Sequence, residues 1–162
     1  GVLAKSGIIN EIILEQAQEL VANNPNQREK ASFLKENFSL IHEKKQIKFI
    51  NEGLIFNKID VRFFHGHTAS QMIPIINYKN KKIVFTADLL PSVGHIPIPY
   101  VMGYDTQPLL TLKEKESFFN EAIEKKYILF LEHDIKNEAC TLTKINGKVV
   151  VDKMGKLQEL LN

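Results

Sequence analysis

Phe63-Phe64-His65-Gly66-His67-Thr68 closes an apolar run that begins at Ile59, so that a polar turn follows directly on a buried stretch. Two further segments repeat that form. Ile83-Val84-Phe85-Thr86-Ala87-Asp88 ends on a carboxylate, and Ile128-Leu129-Phe130-Leu131-Glu132-His133 ends on an imidazole. Short apolar runs bounded by polar residues read as buried strands. In layered α/β folds, ligands and catalytic groups collect beyond the carboxyl ends of such strands. Imidazole and carboxylate are also the donors that hold zinc and similar divalent ions. His67, Asp88 and His133 are therefore candidate metal ligands.

Around these three segments the pattern is that of an α/β chain. Ile47-Lys-Phe-Ile, Gly53-Leu-Ile-Phe, Ile59-Asp-Val-Arg-Phe-Phe, Met72-Ile-Pro-Ile-Ile-Asn-Tyr and Lys82-Ile-Val-Phe-Thr read as strands, with a hairpin turn at Lys79-Asn80-Lys81. Asn146-Gly147 signals a second hairpin between residues 139–144 and 148–151. A helix is expected over 112–126, with Thr111 as its N-cap and Glu114 completing a capping box. A buried strand over 127–131 and a short helix over 156–161 follow. On the amino-terminal side, residues 8–23 and 27–44 show the three-to-four apolar spacing of amphipathic helices. Pro25 separates them, because proline biases the residue before it away from helix. They read as cover helices, giving a helical segment over 1–45 and a sheet-bearing segment over 46–162.

The loop over 89–108 holds four of the six prolines, together with His95, Tyr100, Tyr104 and Asp105. A long connection inside a compact domain is usually functional or disordered. Its prolines lower the entropy lost on ordering, and its apolar content argues against a solvated linker. It reads as one wall of a pocket, with His95, Tyr100 and Tyr104 facing substrate. His65 shares a strand face with His67 and reads as a packed or pocket-lining residue, and His42 as solvent-exposed.

Composition excludes several classes. A chain of 162 residues suffices for one domain that buries roughly two thirds of its unfolded surface. A net charge of +2 with interspersed signs leaves no nucleic-acid footprint. No apolar run approaches the roughly 20 residues that span a bilayer, so no membrane partner is expected. The single cysteine, Cys140, forbids an internal disulfide, fits a reducing, cytoplasmic setting, and reads as a small core residue.

The order Gly66-His67-Thr68, strand hairpin, Thr86-Ala87-Asp88, helix, strand, Glu132-His133-Asp134 resembles the second half of the metallo-β-lactamase superfamily. The resemblance covers about residues 55–151 and is nearest to the branch containing methyl parathion hydrolase and certain N-acyl homoserine lactonases. It implies the second half of an αβ/βα sandwich, with a mostly antiparallel or mixed sheet under covering helices. It also implies two divalent ions, Zn2+ in the family. His67 would complete the first metal site, Asp88 would bridge both ions, and His133 would complete the second. The implied reaction is hydrolysis of an ester, lactone or phosphotriester by metal-bound hydroxide, on a small-molecule substrate.

Three departures from the family stand out. Its signature His-x-His-x-Asp-His is absent from the 162 residues, Ala87 stands where Gly is usual, and Ala69-Ser70 stands where Pro-Gly is usual. The chain thus offers each ion two ligands, with Asp88 counted twice, against the three protein ligands of a typical catalytic zinc site. The expectation is a carboxy-terminal portion of a hydrolase that is inactive alone, completed by a missing amino-terminal half or by homodimerisation. One alternative is a non-catalytic half-domain serving as an assembly or binding module; another is a small α/β domain whose histidines are structural. A half-sandwich would also leave one sheet face in need of cover, expected to carry Ile73, Ile75, Val84 and Phe85.

Overall fold

The structure, a computed structural model, describes residues 12–14, 22–34, 36, 39, 43, 45, 47–56 and 58–162. The chain divides into two compact units, residues 1–51 and 52–162. In the first, β1 (Ile12–Leu14) pairs in parallel with β2 (Ile47–Phe49), Ile12 opposite Ile47. This corrects the helix expected over 8–23 at residues 12–14, while Ala22 and Asn23 are helical. The apolar residues that mimic helical spacing include Ile12 and Ile13, whose branched Cβ atoms suit a pleated strand. In the second expected helix, residues 27–32 form hydrogen-bonded turns and Glu36, Ser39 and Glu43 are helical. Asn26 starts these turns, its Oδ1 accepting the N–H of Arg28 at 2.8 Å and of Glu29 at 3.1 Å. His42 lies outside the described residues.

The second unit is one seven-stranded mixed sheet, with strands paired in chain order from β3 to β9. They are β3 (Gly53–Phe56), β4 (Ile59–Phe64), β5 (Gln71–Tyr78), β6 (Lys81–Phe85), β7 (Ile128–Phe130), β8 (Ala139–Ile145) and β9 (Lys148–Gly155). Two-residue turns at Lys79-Asn80 and Asn146-Gly147 close the hairpins. Lys79, Asn146 and Gly147 all take positive φ, as tight hairpin turns require. Every pairing is antiparallel except β6 with β7, which are parallel and joined through helix α1 (Pro108–Glu124). A parallel pair needs such a long crossover, and a helix is its usual form. The five-residue helix α2 (Leu157–Leu161) closes the chain.

Helix α1 begins four residues earlier than its sequence suggests. Pro108 occupies the start, where a missing N–H costs nothing and a fixed φ suits the helix. Thr111 is therefore buried inside the helix and does not cap it. Glu114 is released from the expected capping box and turns its carboxylate to the neighbouring strand end.

Register decides which sheet face is core. Ile75, Val84, Leu129 and Cys140 lie opposite one another across four strands and share a face with Ile73 and Leu142. That face packs on Phe118, Phe119 and Ala122 of α1. Burying side chains of this size contributes about 1.5–3 kcal/mol each. Ile73, Ile75 and Val84, expected with Phe85 on a face awaiting cover from a second copy or from residues 8–44, are thus covered by α1, and Phe85 lies on the other face. The other face carries Met72, Pro74, Ile76, Ile83, Phe85 and Phe130, all half-buried, with the rings of Phe85 and Phe130 stacked at 6.0 Å. Both parities of β5 are apolar, so alternation alone does not say which side the helix covers.

An ion-pair cluster clamps α1 to the sheet. Both guanidinium ends of Arg62 on β4 meet the Glu121 carboxylate, which also accepts from Lys125 at 2.6 Å and from the Tyr127 hydroxyl at 2.9 Å. Burial alone would raise the Glu121 pKa; the three donors outweigh it and hold the carboxyl at about 2. A depressed acid stabilises the fold fully above its unfolded value, 4.5, and loses that contribution as pH falls toward 2. Discounted for the part-exposed Arg62, Glu121→Gln should cost about 1–2 kcal/mol at pH 7. It should also flatten the loss of stability between roughly pH 5 and pH 2. Urea unfolding at a series of pH values checks both outcomes.

Candidate metal centre

Three strand ends converge on the site. β4 runs out at Phe64, and the following turn is held against the start of α1. The Glu114 carboxylate accepts the backbone N–H of His65 at 2.8 Å and of Gly66 at 2.9 Å. A Cβ at Gly66 would collide with Oγ1, N and Cα of Thr111, so only glycine lets the turn lie this close to the helix. From the other side, Thr106 N–H donates to the His67 carbonyl at 2.9 Å and Gln107 N–H to the Gly66 carbonyl at 2.8 Å.

β6 and β7 are stitched together where they end. Thr86 N–H donates to the Phe130 carbonyl at 3.1 Å, and its buried hydroxyl lies 2.8 Å from the Leu90 carbonyl and 2.9 Å from that of Phe130. Asp88 follows in a single 3-10 turn, Ala87–Leu89. Ala87 takes φ +42 and Ser70 takes φ +56. These are two of the departures from the resembled family, and both occupy left-handed backbone that glycine adopts more readily. Beyond β7, His133 N–H donates to the Pro91 carbonyl at 3.0 Å, and Asp134 Oδ2 accepts the Val93 N–H at 3.0 Å. Burial pushes the Asp134 carboxyl up, but N–H donors from Asn137, Val93 and Lys136 more than offset it and hold the pKa below the usual range.

The three candidate ligands meet at the Asp88 carboxylate. His67 Nε2 lies 3.4 Å from Oδ2 and His133 Nε2 lies 3.2 Å from Oδ1. The other nitrogen of His67, Nδ1, lies 2.8 Å from Oδ1 of Asp105, which is 1% exposed. A carboxylate only accepts, so Nδ1–H is the donor, and Nε2 faces Asp88, as a lone pair on the neutral ring or as an N–H on the imidazolium. A lone pair facing a carboxylate oxygen is repulsive unless positive charge lies on or between them. Asp88 Oδ1 is buried and accepts no hydrogen bond, although His133 stands within ion-pair distance. One orphaned acceptor and two facing imidazoles are donor types that would suit divalent cations at this carboxylate. Each imidazole addresses a different oxygen, and among the described residues no group of three or more His, Cys, Asp or Glu side chains converges on one point.

The remaining sequence candidates are placed as follows. His95 ends the 3-10 turn Val93–His95, its Nδ1 2.9 Å from the Ser92 hydroxyl, and burial together with the Lys115 charge lowers its pKa. Tyr100 and Tyr104 stand on the same loop, 60% and 75% exposed. His65 Nδ1 accepts the Ser70 N–H at 3.1 Å. Cys140 is fully buried, and burial pushes its thiol up to about 12, as suits a core residue. From sequence, Asp105 reads as a residue that orients a neighbour or caps a turn, but His67 is not identified as that neighbour. Its only signal was an acid inside an otherwise apolar, proline-rich loop.

No family model matches the sequence, and no curated protein matches it. Solved structures do. A probable metal-dependent hydrolase from Staphylococcus aureus superposes with a TM-score of 0.75 at 21% identity, covering 88% of this chain and 50% of the other. AbOPH, a hydrolase in the β-lactamase superfamily, gives 0.74 at 17% identity, with 87% and 54% covered. AidC, a dizinc quorum-quenching lactonase in complex with a product, gives 0.66 at 17% identity, with 87% and 53% covered. The chain therefore has the fold of these solved structures, and spans about half the length of each.

The backbone at this site sets two opposed outcomes. Ala87→Gly should relieve left-handed strain of about 1–2 kcal/mol, less about 0.5–1 kcal/mol for the freer unfolded chain, a small net gain in thermal stability. Gly66→Ala should cost about 1–3 kcal/mol, because the collision is with helix backbone that cannot rotate away. Differential scanning calorimetry of the two variants should show shifts of opposite sign.

Proposed function

We propose that this chain is the carboxy-terminal half of a metal-dependent hydrolase, with His67, Asp88 and His133 as ligands to a pair of divalent cations, zinc by fold analogy. The supporting observation is the Asp88 carboxylate caught between two imidazoles, with a buried oxygen that accepts no hydrogen bond. When bound, such a pair supplies an activated water and polarises a carbonyl or phosphoryl oxygen.

The residues of the chain would do the rest. Asp88 offers one oxygen to each half-site and so sets the spacing between them. Asp105 would hold the His67 Nδ1–H tautomer and so turn Nε2 toward the cation, in the manner of a carboxylate–histidine–metal relay. Asp134 and the Pro91 carbonyl hold the His133 loop, leaving its imidazole half-open at 54% exposure. Such a half-open ring suits a ligand at a site mouth where substrate enters. The loop after Asp88 would form the pocket wall. Exposed rings of Tyr100 and Tyr104, together with His95, would face a small ester, lactone or phosphotriester.

Two donors per cation are too few for a catalytic site. The missing donors would come from an amino-terminal half bearing the His-x-His-x-Asp-His signature, or from a second copy. The absence of that signature from the 162 residues also favours a second reading, a half-domain that binds or assembles without catalysis.

Isothermal titration of the purified chain with Zn2+ tests the ligand set. Weak uptake is expected, abolished in Asp88→Ala and reduced in both His67→Ala and His133→Ala. Asp105→Asn should weaken it by about 10–100-fold, the usual cost of losing a histidine's supporting acceptor. Uptake unchanged by the two histidine substitutions would sink the proposal. Lactone or aryl-ester hydrolysis that appears only when a polypeptide carrying the signature is added supports the hydrolase; tight assembly without turnover supports the second reading.

A further inference from the structure

Lys115 is a cation with no exposed surface, placed on the side of α1 that faces the loop. Its ammonium donates to four backbone carbonyls: His95 at 2.7 Å, Pro97 at 3.2 Å, Ile98 at 3.2 Å and Tyr100 at 2.7 Å. The Phe119 ring lies 5.7 Å below it. Three N–H donors are thus shared among four acceptors within one short stretch of chain. Burial pushes this ammonium down to about 8, with the Asp105 charge acting in the opposite sense. A charge so costly to bury persists where its donors are spent on otherwise unsatisfied acceptors.

Apolar packing also fixes the loop here, with Ile96 buried in the core and Val93 and Ile98 against it, but its polar anchors are few. Pro97 and Pro99 carry no N–H, and the backbone bonds of residues 95–100 are short-range: His95 to Ser92, Ile96 to Val93 and Tyr100 to Pro97. Farther along, Asp105 N–H donates to Met102, and Thr106 and Gln107 donate to the carbonyls of His67 and Gly66. Polar anchors thus fall on the segment near residues 95–100, from the ammonium, and near residues 105–107, from the strand-end turn. Asp105 stands at the head of the second set and reaches His67 Nδ1, five residues beyond the last carbonyl of the cage.

We propose that Lys115 is a positioning residue for the site: its ammonium, caged by four carbonyls, holds the loop in the one course that delivers the Asp105 carboxylate to His67. A helix supplies a rigid post, and a fixed charge on it orders a loop that prolines prevent from ordering itself through a ladder. The consequence for hydrolysis rests on the reading of His67 as a ligand. The cage and its test do not, since they need neither metal nor substrate.

The test compares the unaltered chain with Lys115→Met, which keeps the stem and removes every donor. Amide hydrogen exchange should quicken at least tenfold over residues 95–104 and stay unchanged in β5 and β6. The low-field His67 Nδ1–H proton resonance should broaden or vanish, which a role confined to loop stability would not cause. Unchanged exchange overturns the proposal. A loosened loop with an unchanged His67 resonance overturns it equally, since Asp105 would then be placed without Lys115. Should Lys115→Met fail to fold, Lys115→Gln is read by the same two signals, with intermediate effects expected. In the unaltered chain the Lys115 Nζ protons should exchange slowly enough to be observed, unlike those of exposed Lys113; exchange as fast as that of Lys113 overturns the cage.

Discussion

Parallel pairing of β6 with β7 is the constraint on which the site depends. Two parallel neighbours end on the same edge of a sheet, so the residues that follow them are forced into proximity. Asp88 follows β6 and His133 follows β7, and the Thr86–Phe130 hydrogen bonds lock the two ends together before either side chain is placed. An antiparallel β7 would deliver His133 to the opposite edge. The crossover that parallel pairing demands is α1, and α1 contributes at both ends of its task. Its Phe118 and Phe119 cover the sheet, while Glu114 and Lys115, adjacent in sequence, hold the two loops that flank the ligands.

The loops are organised by polar groups because they have no ladder to join. Backbone carbonyls and N–H groups that leave a strand near a buried region must find partners. Here those partners are side chains reaching from regular elements. Glu114 takes two N–H groups of the His65–Gly66 turn, Asp134 takes Val93 along with Lys136 and Asn137, and Lys115 takes four carbonyls. A truncated carboxylate or ammonium at such a position strands several backbone groups at once. That makes these positions more sensitive than their lack of apolar contact suggests.

Much of this was legible before any coordinates. β3, β4 and α2 lie where the apolar runs and polar breaks put them, and the Asn146-Gly147 turn closes its hairpin. The convergence of positions 67, 88 and 133 follows from strand ends alone. The misreadings have physical causes. Ile12–Leu14 belongs to a run whose spacing also fits a helix, and pairing with β2 decides against it. Both faces of Met72-Ile73-Pro74-Ile75-Ile76 are apolar, so only the position of α1 reveals which is core. Thr111 and Glu114 have capping-box spacing, yet Pro108 starts the helix earlier and frees the glutamate for another task. Asp105 and Lys115 act through the path of an irregular loop, which no periodicity encodes.

The alanine and serine that occupy left-handed backbone at positions 87 and 70 bear on what the site is for. Strain of this kind persists where surrounding structure over-determines the conformation. At Ala87 the surrounding structure is the Thr86 stitch on one side and the buried Leu89 and Leu90 on the other, which leave the turn no alternative course. The outcome is that Asp88 leaves the sheet edge at a fixed angle, with Oδ1 and Oδ2 turned to different imidazoles. A carboxylate that only capped a loop would gain nothing from such an orientation, because its lone pairs would be spent on nearby N–H groups, as those of Asp134 are. Asp88 instead keeps a buried oxygen without a donor. Asp105 also keeps a buried oxygen without a partner, so the proposed cation site at Asp88 rests on the two imidazoles that face its separate oxygens, where Asp134 is instead saturated by N–H donors.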